Sequence, residues 1–240
     1  MDEALSMSSS LKHQDAYRAI VLGASGAVGS ALVRELLVSP ACKEVLMLNR
    51  RPVDNWQNAR GKAKLTEHVI DLQQIEAETL RLAQGCTVAF CTFGAGQPTK
   101  LSKDEFWKID VEYPAAFARA CKQAGVEHIS LLSSIGADLL SQSHYLRVKG
   151  EAEKAMITPG FARTSLFRPS LLFTNEPRYG WIDKFSQFAF PLFSWVLPSA
   201  MHEIHVDDLG RAMKVNAEKL VDKNIEVLRY DDFIALAPLR

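Results

Sequence analysis

The stretch Ile20-Val-Leu-Gly-Ala-Ser-Gly-Ala-Val-Gly-Ser30 decides the fold of this chain. An apolar strand leads into three glycines, and a helix-forming segment, Ala31 to Val38, follows at once. Gly23 allows a tight turn, Gly26 lets a ligand approach the backbone, and Gly29 lets the helix pack close to the strand. The N-terminus of that helix offers free N–H groups and the positive end of its dipole, where a pyrophosphate can bind.

The glycine spacing is G-x-x-G-x-x-G rather than G-x-G-x-x-G, and two interpretations compete. Glycines also punctuate ordinary turns, so the triplet alone is compatible with a purely structural turn. Its position between a predicted strand and a predicted helix favours a dinucleotide site.

The end of the second predicted strand, Glu44 to Leu48, indicates which dinucleotide binds. In this arrangement an acid about 20 residues past the glycines binds the ribose 2′-hydroxyl of NAD, whereas an arginine accommodates a 2′-phosphate. Arg50 and Arg51 stand at that point and no acid does, which favours NADP(H). The alternative is that both arginines belong to a solvated loop.

Strands and helices alternate along the rest of the chain. His68 to Leu72 is predicted to be a short third strand. Near its end, Asp71 either reaches the adenine amino group or caps the next helix. Phe93 and Gly94 follow an apolar strand, on the ligand side of an open sheet. The alternation predicts an α/β fold, a Rossmann-like doubly wound parallel sheet with a small C-terminal substrate-binding portion. The remaining predicted elements are helix 72–84, strand 87–92, helix 102–123, strand 128–133 and strand 163–169.

Composition excludes several function classes. Lys+Arg and Asp+Glu are both 28, which argues against a general nucleic-acid binder or anionic-membrane binder.

The polar start up to Asp15 has no signal-peptide pattern and no apolar run predicts a membrane span, so we expect a cytoplasmic protein. The four cysteines form no C-x-x-C pair and are expected to be buried free thiols. The pair His202 and His205 lacks further ligands, so no metal site is expected.

We expect residues 1–15 to be a flexible lead-in and residues 16–240 to form a single NAD(P)-binding domain, with a substrate or lid portion at about 174–205. Residues 185–201 carry no charge and are rich in aromatics. A substrate lid, an oligomer or partner surface, and a membrane-surface segment are the three interpretations of this run. Asp207 is expected to cap the helix that follows.

Tyr145 and Lys149 are four residues apart in a predicted helix, so both side chains lie on one face. A phenol, with a reference pKa of about 10, is poorly matched to acid–base chemistry near neutrality. A nearby ammonium favours the phenolate and lowers that pKa, and it can also hold the nicotinamide ribose. Ser133 and Ser134 end the preceding strand, where a hydroxyl can orient a substrate carbonyl. A Y-x-x-x-K pair alone is common on exposed helices, but this context favours catalysis.

Together these motifs resemble the atypical or extended short-chain dehydrogenases/reductases, and more narrowly the family of the Tat-interacting oxidoreductase. The resemblance implies that Tyr145 is the proton donor or acceptor, that Lys149 tunes it, and that Ser134, or alternatively Ser133, polarises the carbonyl. The matching stretches are Gly23–Gly29, Asn49–Arg51, Leu131–Asp138, Tyr145–Glu151 and Phe167–Leu172. The resemblance implies cofactor contacts from Ser25, Gly26, Ala27, Val28, Arg50, Arg51, Phe93, Gly94, Tyr145, Lys149, Leu172 and Arg178. The motif arguments above add Gly23, Gly29 and Asp71 to these expected contacts.

The sequence thus predicts an NADP(H)-dependent oxidoreductase that transfers a hydride between the nicotinamide and a small carbonyl or alcohol. One alternative is a nucleotide-sugar epimerase or dehydratase. Another is a regulatory NADPH sensor that acts through a protein partner. Besides a small-molecule substrate, a homodimer or a regulatory partner is left open, and neither nucleic acid nor stable membrane insertion is expected.

Overall fold

A seven-stranded parallel sheet forms the centre of the computed structural model, which describes residues 16–96, 98–174 and 202–238. The strands are β1 Tyr17–Leu22, β2 Cys42–Asn49, β3 Leu65–Val69, β4 Val88–Cys91, β5 His128–Leu132, β6 Arg163–Phe167, β7 Leu171–Phe173, β8 Glu203–His205 and β9 Ile225–Leu228. The order in the sheet is β3-β2-β1-β4-β5-β6-β9, and β7 and β8 form a separate parallel pair.

Helices cover both faces of the sheet, because successive strand residues point to opposite sides. In β1, Val21 packs with the helices of one face and Ile20 with those of the other. The first face carries α1 Ala27–Val38, α6 Val206–Glu218 and α7 Tyr230–Leu236. The second carries α2 Ile75–Leu82, α4 Tyr113–Gln123 and α5 His144–Ile157, and the short α3 Lys103–Trp107 leads into α4 through a π-helical turn.

The strand order reverses at β1, which pairs with β2 on one side and with β4 on the other. In open parallel sheets a ligand crevice lies outside the carboxyl ends of the strands at this switch point. The Gly-rich turn follows β1 there. The fold confirms the predicted Rossmann-like α/β class, and the ligand position at this edge stays a prediction.

Several predicted boundaries and one predicted helix cap were wrong. The third strand is Leu65–Val69 rather than 68–72. Among the described residues it pairs with β2 alone, at the edge of the sheet, and its residues are exposed or half-buried, so they carry no continuous apolar run. Helix α1 begins at Ala27, so its first turn includes the third glycine. Asp207 lies in the first turn of α6, whose N-cap is His205 with Nδ1 accepting from the Asp207 N–H.

Other expectations concern the cysteines and the regions outside the described residues. All four cysteines are free and buried, as predicted. None of the helices in the described ranges is long and apolar enough to cross a membrane. Residues 1–15, Arg178 and most of the predicted lid lie outside the described residues.

Candidate functional site

The Gly-rich turn is pressed against the end of β4. Gly23 has φ +92°, and a Cβ atom there would lie 2.4 Å from the backbone nitrogen of Phe93. A Cβ atom at Gly29 would lie 2.2 Å from the carbonyl oxygen of Gly23. The Thr92 hydroxyl donates to the carbonyl oxygens of Leu22 and Gly23 at 3.2 and 3.1 Å. Thr92 therefore stabilises the Gly-rich turn through these hydrogen bonds. This role of Thr92 was not predicted, because it depends on a contact between residues that are distant in the sequence.

The N-terminus of α1 has the features of an anion site. Its N-cap, Gly26, offers no side-chain cap, and no acidic residue lies in the first turn. Ser25 is exposed, Ala27 is half-buried and Val28 is buried. The first N–H groups of the helix are thus left for a ligand, which fits the pyrophosphate of a dinucleotide.

Two arginines follow the end of β2, next to a hydrogen bond between Asn49 and Glu67. The Asn49 side-chain amide donates to Glu67 Oε1 at 2.6 Å, and the same oxygen accepts from the backbone of Val53 at 3.0 Å. Arg50 and Arg51 are exposed, and neither has a hydrogen bond or ion pair with the described residues. Both guanidinium groups are therefore available to an external phosphate.

A buried carboxylate joins the loop after β4 to helix α5. Asp110 lies in the π-helical turn Lys108–Glu112, and its side chain is 1% exposed. One oxygen accepts from the backbone N–H of Ala95 at 2.7 Å and the other from Lys149 Nζ at 2.6 Å. A Cβ atom at Gly94 would lie 3.0 Å from the same carboxylate. Asp110 was not predicted, and its only sequence signal is an acid inside an otherwise amphipathic helix.

The two predicted catalytic side chains of α5 lie together. The Lys149 ammonium is 5.8 Å from the centre of the Tyr145 ring. Burial works against the charge of Lys149, but Asp110 and then Tyr145 outweigh it, so the pKa of Lys149 is raised above its ordinary value. The Tyr145 side chain is 38% exposed, and its ring stacks on the buried Phe106 of α3 with ring centres 5.9 Å apart. The Tyr145 ring thus packs on Phe106, while part of the phenol stays accessible to a ligand.

The structure separates the two candidate serines. The Ser133 hydroxyl donates to the buried Glu153 at 2.5 Å, and Glu153 also receives two hydrogen bonds from Arg168. Among the described residues, the half-buried Ser134 hydroxyl has a single partner, the carbonyl oxygen of Ile135 at 3.4 Å. Ser134 thus has fewer hydrogen-bond partners than Ser133, and its assignment as the catalytic serine stays a prediction.

Two other predicted positions, Asp71 and Leu172, lie in turns and strands outside this cluster. Asp71 caps the 3-10 turn Leu72–Gln74 by accepting from the Gln73 N–H at 2.9 Å, so its capping role is seen and an adenine contact stays a prediction. Leu172 lies in β7, paired with Ile204. Within the described residues no group of three or more His, Cys, Asp or Glu side chains could hold a metal.

Comparison with known proteins supplies the family. Residues 23–188 match a protein family described as NAD(P)H-binding. The chain belongs to this NAD(P)H-binding family. The rat protein HTATIP2 is 35% identical over 156 residues, 65% of this chain and 63% of that protein, so the match spans less than two thirds of its length. The Candida albicans protein named "FMP52, mitochondrial" is 31% identical over 227 residues, 90% of this chain and 96% of its own. The resemblance identified from the motifs is confirmed.

Solved structures share the fold. MoeE5 in complex with UDP-glucuronic acid and NAD has a TM-score of 0.68 at 22% identity, over 89% of this chain and 76% of its own. A UDP-N-acetylglucosamine 4-epimerase from Methanobrevibacter ruminantium has a TM-score of 0.67 at 17% identity, over 90% and 77%. At these identities the likeness concerns architecture alone.

The predicted cytoplasmic location is contradicted. Related proteins from Candida albicans, Scheffersomyces stipitis, Debaryomyces hansenii and Emericella nidulans are all named as mitochondrial. The neutral charge and polar start of the chain were too weak to decide a compartment.

Proposed function

We propose that this NAD(P)H-binding protein is an NADPH-dependent oxidoreductase that transfers a hydride between the nicotinamide and a small carbonyl or alcohol. The observation that supports it most is one face of α5, where the half-exposed phenol of Tyr145 lies beside the buried, paired ammonium of Lys149. A protein that only binds the nucleotide can use Lys149 for the ribose, but it does not need an exposed phenol beside that ammonium.

The residues divide the chemistry among them. Tyr145 donates a proton to the carbonyl oxygen during reduction, or accepts it from the alcohol in the reverse direction. Lys149 stabilises negative charge on the phenol oxygen and binds ribose hydroxyls. Ser134 donates a hydrogen bond to the carbonyl oxygen and orients it. The bound dinucleotide supplies the hydride, so the protein's own task is orientation and proton transfer.

Turnover with carbonyl compounds tests this proposal. The purified chain is incubated with NADPH and a panel of aldehydes, ketones and quinones, and NADPH consumption is followed. Tyr145→Phe is expected to lower kcat by about a hundredfold while NADPH still binds, because only the proton donor is lost. Tyr230→Phe, a half-buried tyrosine of α7, is the matched control and keeps full turnover.

The Asp110–Lys149 ion pair favours a second candidate, a regulatory NADPH sensor. Asp110 links the ammonium predicted to bind ribose to the loop at Ala95, so occupancy of the nucleotide site has a direct connection to that loop. A sensor binds NADPH, consumes no carbonyl compound, and tolerates Tyr145→Phe. An oxidoreductase loses turnover in that variant.

A further inference from the structure

One stripe of α5 continues beyond the two predicted catalytic residues. Tyr145, Lys149 and Glu153 are spaced by four residues, so their side chains follow one another along one face, about 6 Å apart. Each member contacts a different support. Phe106 stacks on the first and Asp110 pairs with the second. Glu153, which is 5% exposed, has two partners of its own.

Glu153 joins the ends of two neighbouring strands. It accepts from the Ser133 hydroxyl at the end of β5, and its two oxygens accept from Nε and Nη2 of Arg168 just after β6, at 2.8 and 2.5 Å. A two-pronged bond between a guanidinium and a carboxylate fixes orientation as well as distance. One side chain of α5 therefore holds both strand ends.

The same strand ends are also joined by backbone hydrogen bonds. The Ser133 N–H donates to the carbonyl oxygen of Phe167 at 2.7 Å, and the Ile135 N–H donates to that of Pro169 at 2.9 Å. Ser134 lies between these two bonds. Its position relative to α5 is thus defined by the backbone bonds on either side and by the Glu153 contact.

We infer that Glu153 is a positioning residue, which fixes the serine-bearing turn after β5 against the α5 face that carries Tyr145 and Lys149. The inference rests on the proposed function for its consequence in catalysis. A displacement of about 1 Å between a reacting group and its substrate can cost a hundredfold in rate, so the loss of this contact lowers kcat without touching the nucleotide site.

Glu226 provides a matched control for the experiment. It is a carboxylate of similar burial that pairs with Arg163 at the opposite end of β6, with a 2.8 Å bond from Arg163 Nε. Glu153→Gln and Glu226→Gln each remove one charge from a buried pair and lower overall stability. Arg168→Lys is a milder second variant, because it keeps the charge and loses only the paired geometry.

Three quantities are measured on each full-length variant: hydrogen exchange of residues 133–137, the Kd for NADPH, and kcat with a quinone. In Glu153→Gln we expect hydrogen exchange at 133–137 to be faster, and kcat to be lower, by about tenfold or more than in Glu226→Gln of similar global stability. The Kd for NADPH is expected to stay within about threefold of the wild-type value. Arg168→Lys shifts exchange and kcat in the same directions by less.

Equal exchange and equal kcat in the Glu153 and Glu226 variants would overturn the inference, since Glu153 would then be only a structural ion-pair partner. If the wild-type chain reduces no quinone or other carbonyl compound, the proposed function fails, and the exchange comparison alone decides the positioning role. Exchange at 133–137 that is unchanged relative to the control then overturns it.

Discussion

At the scale of single residues, the Asp110 carboxylate brings the site together. It accepts hydrogen bonds from the backbone N–H of Ala95, in the loop after β4, and from the ammonium of Lys149. Both side chains of this ion pair are largely buried. Removal of one partner from a buried pair leaves an uncompensated charge, whereas removal of both leaves none.

The Asp110–Lys149 pair is therefore expected to be strongly coupled. Asp110→Asn and Lys149→Met should each lower the free energy of unfolding by roughly 3–5 kcal/mol, and the double variant by clearly less than their sum. Urea denaturation of the four proteins measures the coupling. The exposed Arg34–Asp207 pair is the control, with a coupling below about 1 kcal/mol. Additive losses at Asp110 and Lys149 would contradict the account.

The two serines are expected to respond differently to alanine. Ser134→Ala removes the hydroxyl proposed to orient the carbonyl and should lower kcat by about a hundredfold. Ser133→Ala leaves Glu153 without one donor, so it should lower the free energy of unfolding by about 1–3 kcal/mol and kcat by about tenfold or less. Steady-state kinetics and urea denaturation of both variants check this, and the reverse order would reassign the serine.

At the scale of elements, the patterns that depend on neighbours in the sequence were predicted well. The strand, Gly-rich turn and helix are encoded within about 20 residues, and the Tyr145–Lys149 spacing is read directly from one helix. The π-helical turn at 108–112 was missed, because its amphipathic pattern is that of an ordinary helix. The roles of Asp110 and Glu153 depend on contacts across 39 and 15 to 20 positions, which no local pattern records.

The pairing of β5 with β6 contains a buried titratable group. His128 Nε2 lies 2.7 Å from the Ser165 hydroxyl, and burial, followed by the nearby Arg163, lowers the pKa of His128 to about 3. The unfolded chain takes up a proton near the ordinary value of 6.5, whereas the folded chain stays neutral. Stability associated with His128 is thus present above pH 6.5 and is lost as the pH falls from there towards 3.

His128→Gln is expected to flatten this part of the pH dependence. The difference in unfolding free energy between wild type and variant should shrink by up to roughly 1.4 kcal/mol per pH unit as the solution is acidified through this range. Urea denaturation at a series of pH values measures it. His68→Gln, which replaces a half-buried histidine of the edge strand β3, is the control. A wild-type-to-variant difference that is independent of pH would refute the assignment.

At the scale of the whole molecule, the reversal of strand order around β1 places the groups of the site at one edge. The Gly-rich turn follows β1, the arginines follow β2, the loop held by Asp110 follows β4, and the serines follow β5. Parallel strands bring these carboxyl ends to a common edge, where we expect one extended dinucleotide to contact the groups proposed for anion binding, ribose binding and proton transfer.

Titration of the purified chain with NADPH and NADH, by fluorescence, tests the central claim most directly. It is repeated on Arg50→Ala, Arg51→Ala and the control Arg60→Ala, an exposed arginine of the same connection. We predict that NADPH binds more tightly than NADH, and that each of the first two substitutions weakens NADPH alone by about tenfold, the loss of one charged hydrogen bond. Equal affinities would contradict the 2′-phosphate role of the arginines, and no binding of either nucleotide would contradict the site itself.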